Sequence, residues 1–225
     1  MILLPGLGAD HRLFEDQKSI PGVQVATLPR PVSGESFRTY AIRTWSELLP
    51  AEPVWAGGFS FGGMLALEAA REASFRSRFK GIVLISSCRS RRAITDGFRR
   101  QQALTGWIPA PIAAFGARAF LGGSFIRKNG ISGRHADLVR AMAAELDVVA
   151  LRCGARACAE WDFEGPEKEY PELAVRQIHG ARDSVIPPLP GDADTVLADA
   201  GHLLQYTHAE DLNQWLLGVL DASTT

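Results

Sequence analysis

Short apolar runs recur along the chain, and glycine, proline or serine closes most of them. Six of these runs have the length and composition of buried strands. They are Ile2–Leu4, Val23–Leu28, Val54–Phe59, Ile82–Ile85, Val175–Ile178 and Thr195–Leu197. Because the runs are continuous rather than alternating with polar residues, they predict a parallel sheet that is covered on both faces.

Helical patterns lie between the predicted strands. Ser36 can cap a helix that runs to about Leu49, where Pro50 stops it. Gly62–Ala73 is rich in Ala, Leu, Met and Glu, which favour a helix. Leu203–Leu220 carries large apolar residues at helical spacing. The alternation of strands and helices predicts βαβ units.

One long segment interrupts this alternation between the fourth and fifth predicted strands. It has no strand pattern and predicts several short helices, near Asp96–Leu104, Pro111–Phe120, His135–Val149 and Val149–Glu160. A separate helical domain is one interpretation, but the sheet pattern resumes at Val175. We therefore predict that residues 89–174 form a helical cap inserted into a core of residues 1–88 and 175–225.

Composition narrows the class of protein. The chain has 225 residues, 46% of them apolar, and a formal net charge of −1. These values disfavour disorder and a dedicated nucleic-acid binder. The three cysteines cannot all pair, which indicates a reducing compartment. No apolar run reaches the roughly 20 residues of a membrane helix, and the N-terminus does not resemble a signal peptide. We expect a cytoplasmic protein without nucleic-acid or membrane partners.

The chemically informative motif is Gly58-Phe59-Ser60-Phe61-Gly62, which matches G-x-S-x-G. The pentapeptide alone is a weak signal, but here a predicted strand precedes it and a predicted helix follows. That setting is typical of a nucleophile elbow, in which the serine sits on a tight turn. An ordinary serine that caps the following helix is the alternative.

At this point the sequence resembles the α/β-hydrolase superfamily over nearly its whole length. The resemblance implies that an acid and a histidine follow the serine along the chain. Asp183 lies in His179-Gly180-Ala181-Arg182-Asp183, which looks like the family's acid loop, and His202 precedes the last helix. It also implies an α/β-hydrolase fold: a mostly parallel sheet of about six strands, shortened by two at the start, flanked by helices and carrying a helical cap.

The chemistry needs these three residue types together. A serine hydroxyl such as that of Ser60 becomes nucleophilic when an imidazole, here His202, takes its proton. A carboxylate, here Asp183, orients the imidazole and stabilises its charged form. The resemblance places the oxyanion hole at the backbone N–H groups of Phe61 and Leu7. Leu7 follows Pro5-Gly6, where the commonest family pattern has His-Gly.

Aromatic residues of the cap and the elbow suggest an apolar acyl pocket. The candidates are Phe59, Trp107, Phe115, Phe120 and Trp161. Packing beneath the cap is the alternative role for each of them.

The cap is also basic. Residues 89–140 contain ten Lys and Arg against Asp96 and Asp137. Such a surface can attract an anionic group or an acidic partner such as an acyl carrier protein. Some superfamily carboxylesterases with a four-helix cap act on carrier-bound acyl esters, and the layout here is similar. A solvated helix face is the alternative.

Taken together, the residues predict a serine hydrolase for carboxylic esters or thioesters that needs no cofactor and no metal. Acyl transfer, carbon–carbon bond hydrolysis, peptidase and lyase chemistry use the same three residues. A ligand receptor that keeps them with little turnover is a further alternative. The sequence leaves the acyl chain, the leaving group and the oligomeric state open.

Overall fold

The computed structural model describes residues 1–32, 34–105 and 107–222. Its strands are β1 (Ile2–Leu4), β2 (Gln24–Val25), β3 (Val54–Phe59), β4 (Phe79–Ile85), β5 (Val175–Gly180) and β6 (Thr195–Leu197). They form one sheet in the order β2-β1-β3-β4-β5-β6, and every neighbouring pair is parallel. The predicted six-stranded parallel sheet is therefore confirmed, and each strand overlaps its predicted run, although β2 is shorter and β4 begins earlier than predicted.

Helices connect the strands. They are α1 (Phe37–Leu48), α2 (Phe61–Ala69), α3 (Ala73–Arg76), α4 (Asp96–Thr105), α5 (Ala110–Ala119), α6 (Ile126–Lys128), α7 (Gly133–Ala144), α8 (Val148–Glu160), α9 (Pro166–Glu169), α10 (Leu204–Thr207) and α11 (Ala209–Asp221). A π-helical segment, Phe120–Phe125, joins α5 to α6. Of the helices in the described ranges, none has the length and apolar character that a membrane crossing requires.

Each face of the sheet has its own apolar core. Neighbouring residues of a strand point to opposite faces, so β1 sends Ile2 and Leu4 to one side and Leu3 to the other. The first side packs against α1 and α2, and the second packs against α7 and α11. Coverage on both faces explains why the strands read as continuous apolar runs.

The long connection between β4 and β5 consists of helices joined by loops, and its described residues include no strand. One of its anchors is Trp161, whose indole Nε1–H donates to Glu68 Oε2 of α2 at 2.8 Å. Another is α7, where Val139 and Met142 join the second apolar core. These contacts bind the connection to both sides of the sheet. The division of the chain into a core and a cap stays a prediction.

The last helix differs from its prediction. The apolar spacing predicts a single helix over 203–220, but the structure has two helices, α10 and α11. The backbone of His208 leaves the helical region between them (φ −133°, ψ 44°). Apolar residues on both sides of the break still face the core, so the spacing did not reveal it.

Candidate active site

Ser60 lies in the sharp turn between β3 and α2. Its backbone has a positive φ (φ 51°, ψ −115°), which is costly for a residue that carries a Cβ atom. The backbone N–H of Ser60 donates to the carbonyl of Ile85 in the neighbouring strand at 2.9 Å. The sheet therefore holds the strained turn in place, in the strand–turn–helix setting of a nucleophile elbow.

Two glycines of the motif are required by space. A Cβ atom at Gly58 would lie 2.1 Å from the carbonyl oxygen of Leu4, and one at Gly62 would lie 2.3 Å from the same atom. These distances are too short for any side chain. The end of β1 therefore lies directly against the elbow, and only glycine permits this approach.

Asp183 lies just after β5 and is 4% exposed. Its Oδ1 accepts from the backbone N–H groups of Val185 at 2.8 Å and Ile186 at 2.9 Å. Its Oδ2 lies 2.7 Å from Nδ1 of His202 and 3.2 Å from Nε2 of His179. Burial alone would raise the pKa of this carboxyl group, but the hydrogen bonds from His179 and His202 outweigh it. The pKa is held well below its usual range, and Asp183 is a carboxylate at neutral pH.

His202 lies between β6 and α10 and is 3% exposed. Its ring packs against Phe59, with 4.7 Å between the ring centroids, and Phe59 directly precedes Ser60. The structure thus brings Asp183 and His202 into contact and places the imidazole beside the elbow. Within the described residues, no hydrogen bond joins Ser60 Oγ to His202. Such bonds often form only when substrate is bound.

The first loop supplies a wall of the site. A Cβ atom at Gly6 would meet the ring of Phe59 at 2.8 Å and Cβ of Ser60 at 3.3 Å, so this loop touches the elbow. In the described part of the chain, the backbone N–H groups of Leu7 and Phe61 donate to no backbone carbonyl. Phe61 follows Ser60 in the chain, and Leu7 follows Gly6, so both residues stay predicted oxyanion donors.

A cavity of about 960 Å³ lies beside the elbow, although Ser60, Asp183 and His202 are not among the described residues that line it. Leu7 and Phe61 both line it, and Phe37 and Trp161 extend the wall. The ring centroids of Phe37 and Phe61 are 5.4 Å apart, and those of Phe37 and Trp161 are 6.3 Å apart. This part of the cavity is an aromatic surface suited to apolar groups.

The predicted pocket aromatics lie in different places. Trp161 is 4% exposed and lines the cavity, whereas Phe59 is buried against His202. Trp107, Phe115 and Phe120 are exposed, at 90%, 77% and 47%, and do not belong to the cavity wall. The structure brings only Trp161 of these cap aromatics to the cavity. A substrate role for the other three stays a prediction.

Sequence reasoning missed two supporting residues. Asn129 follows α6, and its Oδ1 accepts from the backbone N–H of His202 at 3.1 Å. Ser87 follows β4, and its Oγ donates to the carbonyl of Ser60 at 2.6 Å. No motif marks either residue, because both contacts join segments that are distant in sequence.

Two of the cysteines are not rival nucleophiles. Burial raises the pKa of the Cys88 thiol to about 12, and burial also raises the pKa of Cys158. Both are fully neutral thiols near pH 7. The described residues contain no group of three or more His, Cys, Asp or Glu side chains that is arranged to hold a metal ion.

Solved structures show where this fold recurs. A thermophilic esterase from Thermogutta terrifontis matches with a TM-score of 0.69 and 20% identity, over 100% of this chain and 90% of that chain. An epoxide hydrolase from Bacillus megaterium matches with a TM-score of 0.72 and 14% identity, over 98% of this chain and 93% of that chain. A bromoperoxidase from Bacillus anthracis matches with a TM-score of 0.72 and 19% identity, over 98% of this chain and 91% of that chain. At these identities the likeness shows the shared fold.

Sequence comparison gives the family. No curated protein matches this chain. The model of the alpha/beta hydrolase family, however, matches residues 1–215, which is most of the chain. The parallel sheet and the strained serine turn agree with that match. The chain therefore belongs to the alpha/beta hydrolase family.

Proposed function

We propose that this protein is a serine hydrolase that cleaves carboxylic esters or thioesters through an acyl-enzyme on Ser60. The observation that carries the proposal is the 2.7 Å contact between Asp183 and His202, whose ring lies against the residue preceding Ser60. Family membership and an esterase among the structural neighbours support hydrolase chemistry.

The proposed reaction has two halves. Ser60 Oγ attacks the acyl carbonyl while His202 Nε2 takes its proton, and the imidazolium then gives that proton to the leaving oxygen or sulfur. Water, deprotonated by His202, next attacks the acyl-enzyme and releases the carboxylic acid and Ser60. Asp183 keeps the proton of the neutral imidazole on Nδ1, so Nε2 is free to act as the base.

The oxyanion of each tetrahedral intermediate is proposed to sit between the N–H groups of Leu7 and Phe61. Fixed donors stabilise charge that develops in the transition state without reorganising. The cavity supports the substrate class, because Leu7 and Phe61 line it together with the aromatic side chains of Phe37 and Trp161. An apolar acyl or aryl group fits such a wall.

The first test is hydrolysis of p-nitrophenyl acyl esters of increasing chain length. Ser60→Ala is expected to lower kcat/KM by at least about a thousandfold, since the nucleophile is lost. The matched control is Ser46→Ala, which removes an exposed serine of α1 and should leave kcat/KM unchanged. Equal activity of Ser60→Ala and the wild type would exclude Ser60 as the nucleophile.

A second test does not need the correct ester. A fluorophosphonate reacts with an activated serine, and mass spectrometry of a digest locates the adduct. We expect the adduct on Ser60, with none in Ser60→Ala. Failure to label Ser60 in the wild type would indicate that this serine is not activated and would contradict the proposal.

A further inference from the structure

A second histidine contacts the candidate acid. His179 is 1% exposed and lies on β5, four residues before Asp183. Its Nε2 lies 2.8 Å from the carbonyl oxygen of Ile186 and 3.2 Å from Oδ2 of Asp183. Its Nδ1 lies 3.1 Å from Nε2 of Gln177. Every ring nitrogen of this buried imidazole therefore has a partner.

The partners fix the proton of the ring. Gln177 Nε2 also lies 3.2 Å from the carbonyl oxygen of Ser87, and a carbonyl oxygen can only accept. The amide group of Gln177 must therefore turn its NH₂ toward Ser87, and the second N–H of that group points to His179. Nδ1 of His179 is then the acceptor, and the proton lies on Nε2. The carbonyl of Ile186, which also only accepts, requires the same tautomer.

We propose that His179 is a positioning residue for the reaction: a neutral imidazole, locked by Gln177, whose Nε2–H holds Asp183 Oδ2, the oxygen that orients His202. The proposal rests on the proposed serine hydrolase function. It assigns a role to a fourth residue beside Ser60, Asp183 and His202, because His179 acts only through Asp183.

The local geometry shows how the positioning works. Asp183 Oδ1 is fixed by the backbone N–H groups of Val185 and Ile186, and His179 ties the carbonyl of Ile186 to Oδ2. The carboxylate is thus fixed at both oxygens, and it cannot rotate away from His202. Ser87 completes the connection, since its carbonyl holds Gln177 and its hydroxyl holds the backbone of Ser60.

Sharing of Oδ2 also has an electrostatic consequence. Two N–H donors divide the negative charge of one oxygen, so His202 receives less than the whole of it. Removing the donor at His179 leaves the full charge to stabilise the His202 imidazolium. Cys88 and Asp192 are the other titratable groups that interact with this cluster, Cys88 with Asp183 and Asp192 with His179.

The test compares His179→Leu with His179→Gln. Leucine removes the donor at similar volume, whereas glutamine keeps an N–H near the position of Nε2. For His179→Leu we expect kcat to fall about 10- to 100-fold at nearly constant KM, because a misplaced base lowers the rate but not ground-state binding. We also expect the acid limb of the kcat/KM profile to move to higher pH. His179→Gln is expected to recover most of kcat and to return the acid limb of the kcat/KM profile to its wild-type pH.

Two results would overturn this assignment: wild-type kcat in His179→Leu, or a loss of kcat with an unmoved acid limb and no recovery in His179→Gln. The second pattern would mean that the residue only fills space. Thermal unfolding of each variant shows whether the substitution has disrupted the fold.

A measurement without turnover separates this inference from the proposed function. Two-dimensional ¹H–¹⁵N NMR of the ¹⁵N-labelled wild type reports the tautomer of each histidine, and His179→Gln identifies the signal of His179. We expect the neutral Nε2–H form at neutral pH. An Nδ1–H tautomer or a charged ring would exclude the proposed lock even if esters are hydrolysed. The expected tautomer without fluorophosphonate labelling of Ser60 would leave the lock intact and contradict the proposed function.

Discussion

Asp183 accepts four hydrogen bonds, two on each carboxylate oxygen. At the scale of single residues, these hydrogen bonds link the proposed role of Asp183 in the reaction to the stability of the folded chain. All four donors favour the ionised form, and together they offset the unfavourable burial of a charge. The same bonds that prepare Asp183 to orient His202 therefore also stabilise the folded chain at neutral pH.

Acid should weaken this contribution. In the unfolded chain an aspartate has a pKa of about 3.9, whereas the pKa of Asp183 in the folded protein is well below that. The folded state binds fewer protons, so the stabilisation is complete above about pH 4 and is lost as pH falls toward the folded pKa.

We expect the difference in the free energy of unfolding between the wild type and Asp183→Asn to shrink as pH falls from about 6 to about 3. Urea unfolding at a series of pH values measures it. A difference that stays constant over this pH range would show that the ionisation of Asp183 does not contribute to the free energy of unfolding.

Some residues of the candidate site could be selected from sequence, and others could not. Ser60 stands in a motif whose neighbours predict a strand and a helix, and the structure confirms those elements. Asn129 stands in no motif, because its role arises only when the connection folds back on His202. Gln177 left a weaker signal: it lies two positions before His179 on a strand, so both side chains share one face.

At the scale of elements, strands were easier to predict than helix ends. A buried parallel strand is a continuous apolar run bounded by turn residues, and β3 and β6 match their predicted bounds. Helix ends depend on local contacts and capping. Helix α2 ends at Ala69 rather than at the predicted Ala73, although its composition favours a longer helix.

The close packing of elements at the elbow gives a test of stability. Gly62→Ala introduces a Cβ atom 2.3 Å from the carbonyl oxygen of Leu4, which must force the backbone apart. We expect a loss of about 3 kcal/mol or more in the free energy of unfolding.

Gly116→Ala is the matched control. Gly116 lies inside α5 with nothing within 4 Å of a Cβ atom, so alanine should stabilise the protein by about 0.5–1 kcal/mol. Urea unfolding of both variants gives the comparison. Similar stabilities would contradict the packing of β1 against the elbow.

At the scale of the whole molecule, the basic character of the cap is smaller than its sequence indicates. Arg89 pairs with Glu167 and Arg91 pairs with Glu164, both beyond residue 140, and Arg134 pairs with Asp16. A count over residues 89–140 omits these carboxylates, because they come from other segments. Binding of an acidic carrier protein stays a prediction, and fewer free cations are available for it than the count implies.

A contact between the helical connection and His202 also joins distant parts of the molecule. Asn129→Ala removes the acceptor for the backbone N–H of His202, which would loosen the loop that holds the imidazole. We expect kcat for p-nitrophenyl esters to fall about tenfold. Asn129→Asp keeps a side-chain acceptor and should retain more activity. Wild-type kcat in Asn129→Ala would show that this contact does not position His202.

The long helical connection leaves the sheet after β4 and returns in β5, and these two strands are direct neighbours. Because these strands are parallel, the connection leaves at the carboxyl end of β4 and returns at the amino end of β5, and the backbone hydrogen bonds between the two strands fix both ends. The entropy of closing a loop changes only slowly with its length. Over evolutionary time this segment can lengthen, shorten or be replaced while the core keeps its register. Substrate preference can thus diverge among descendants while Ser60, Asp183 and His202, which lie outside this segment, stay in the chain.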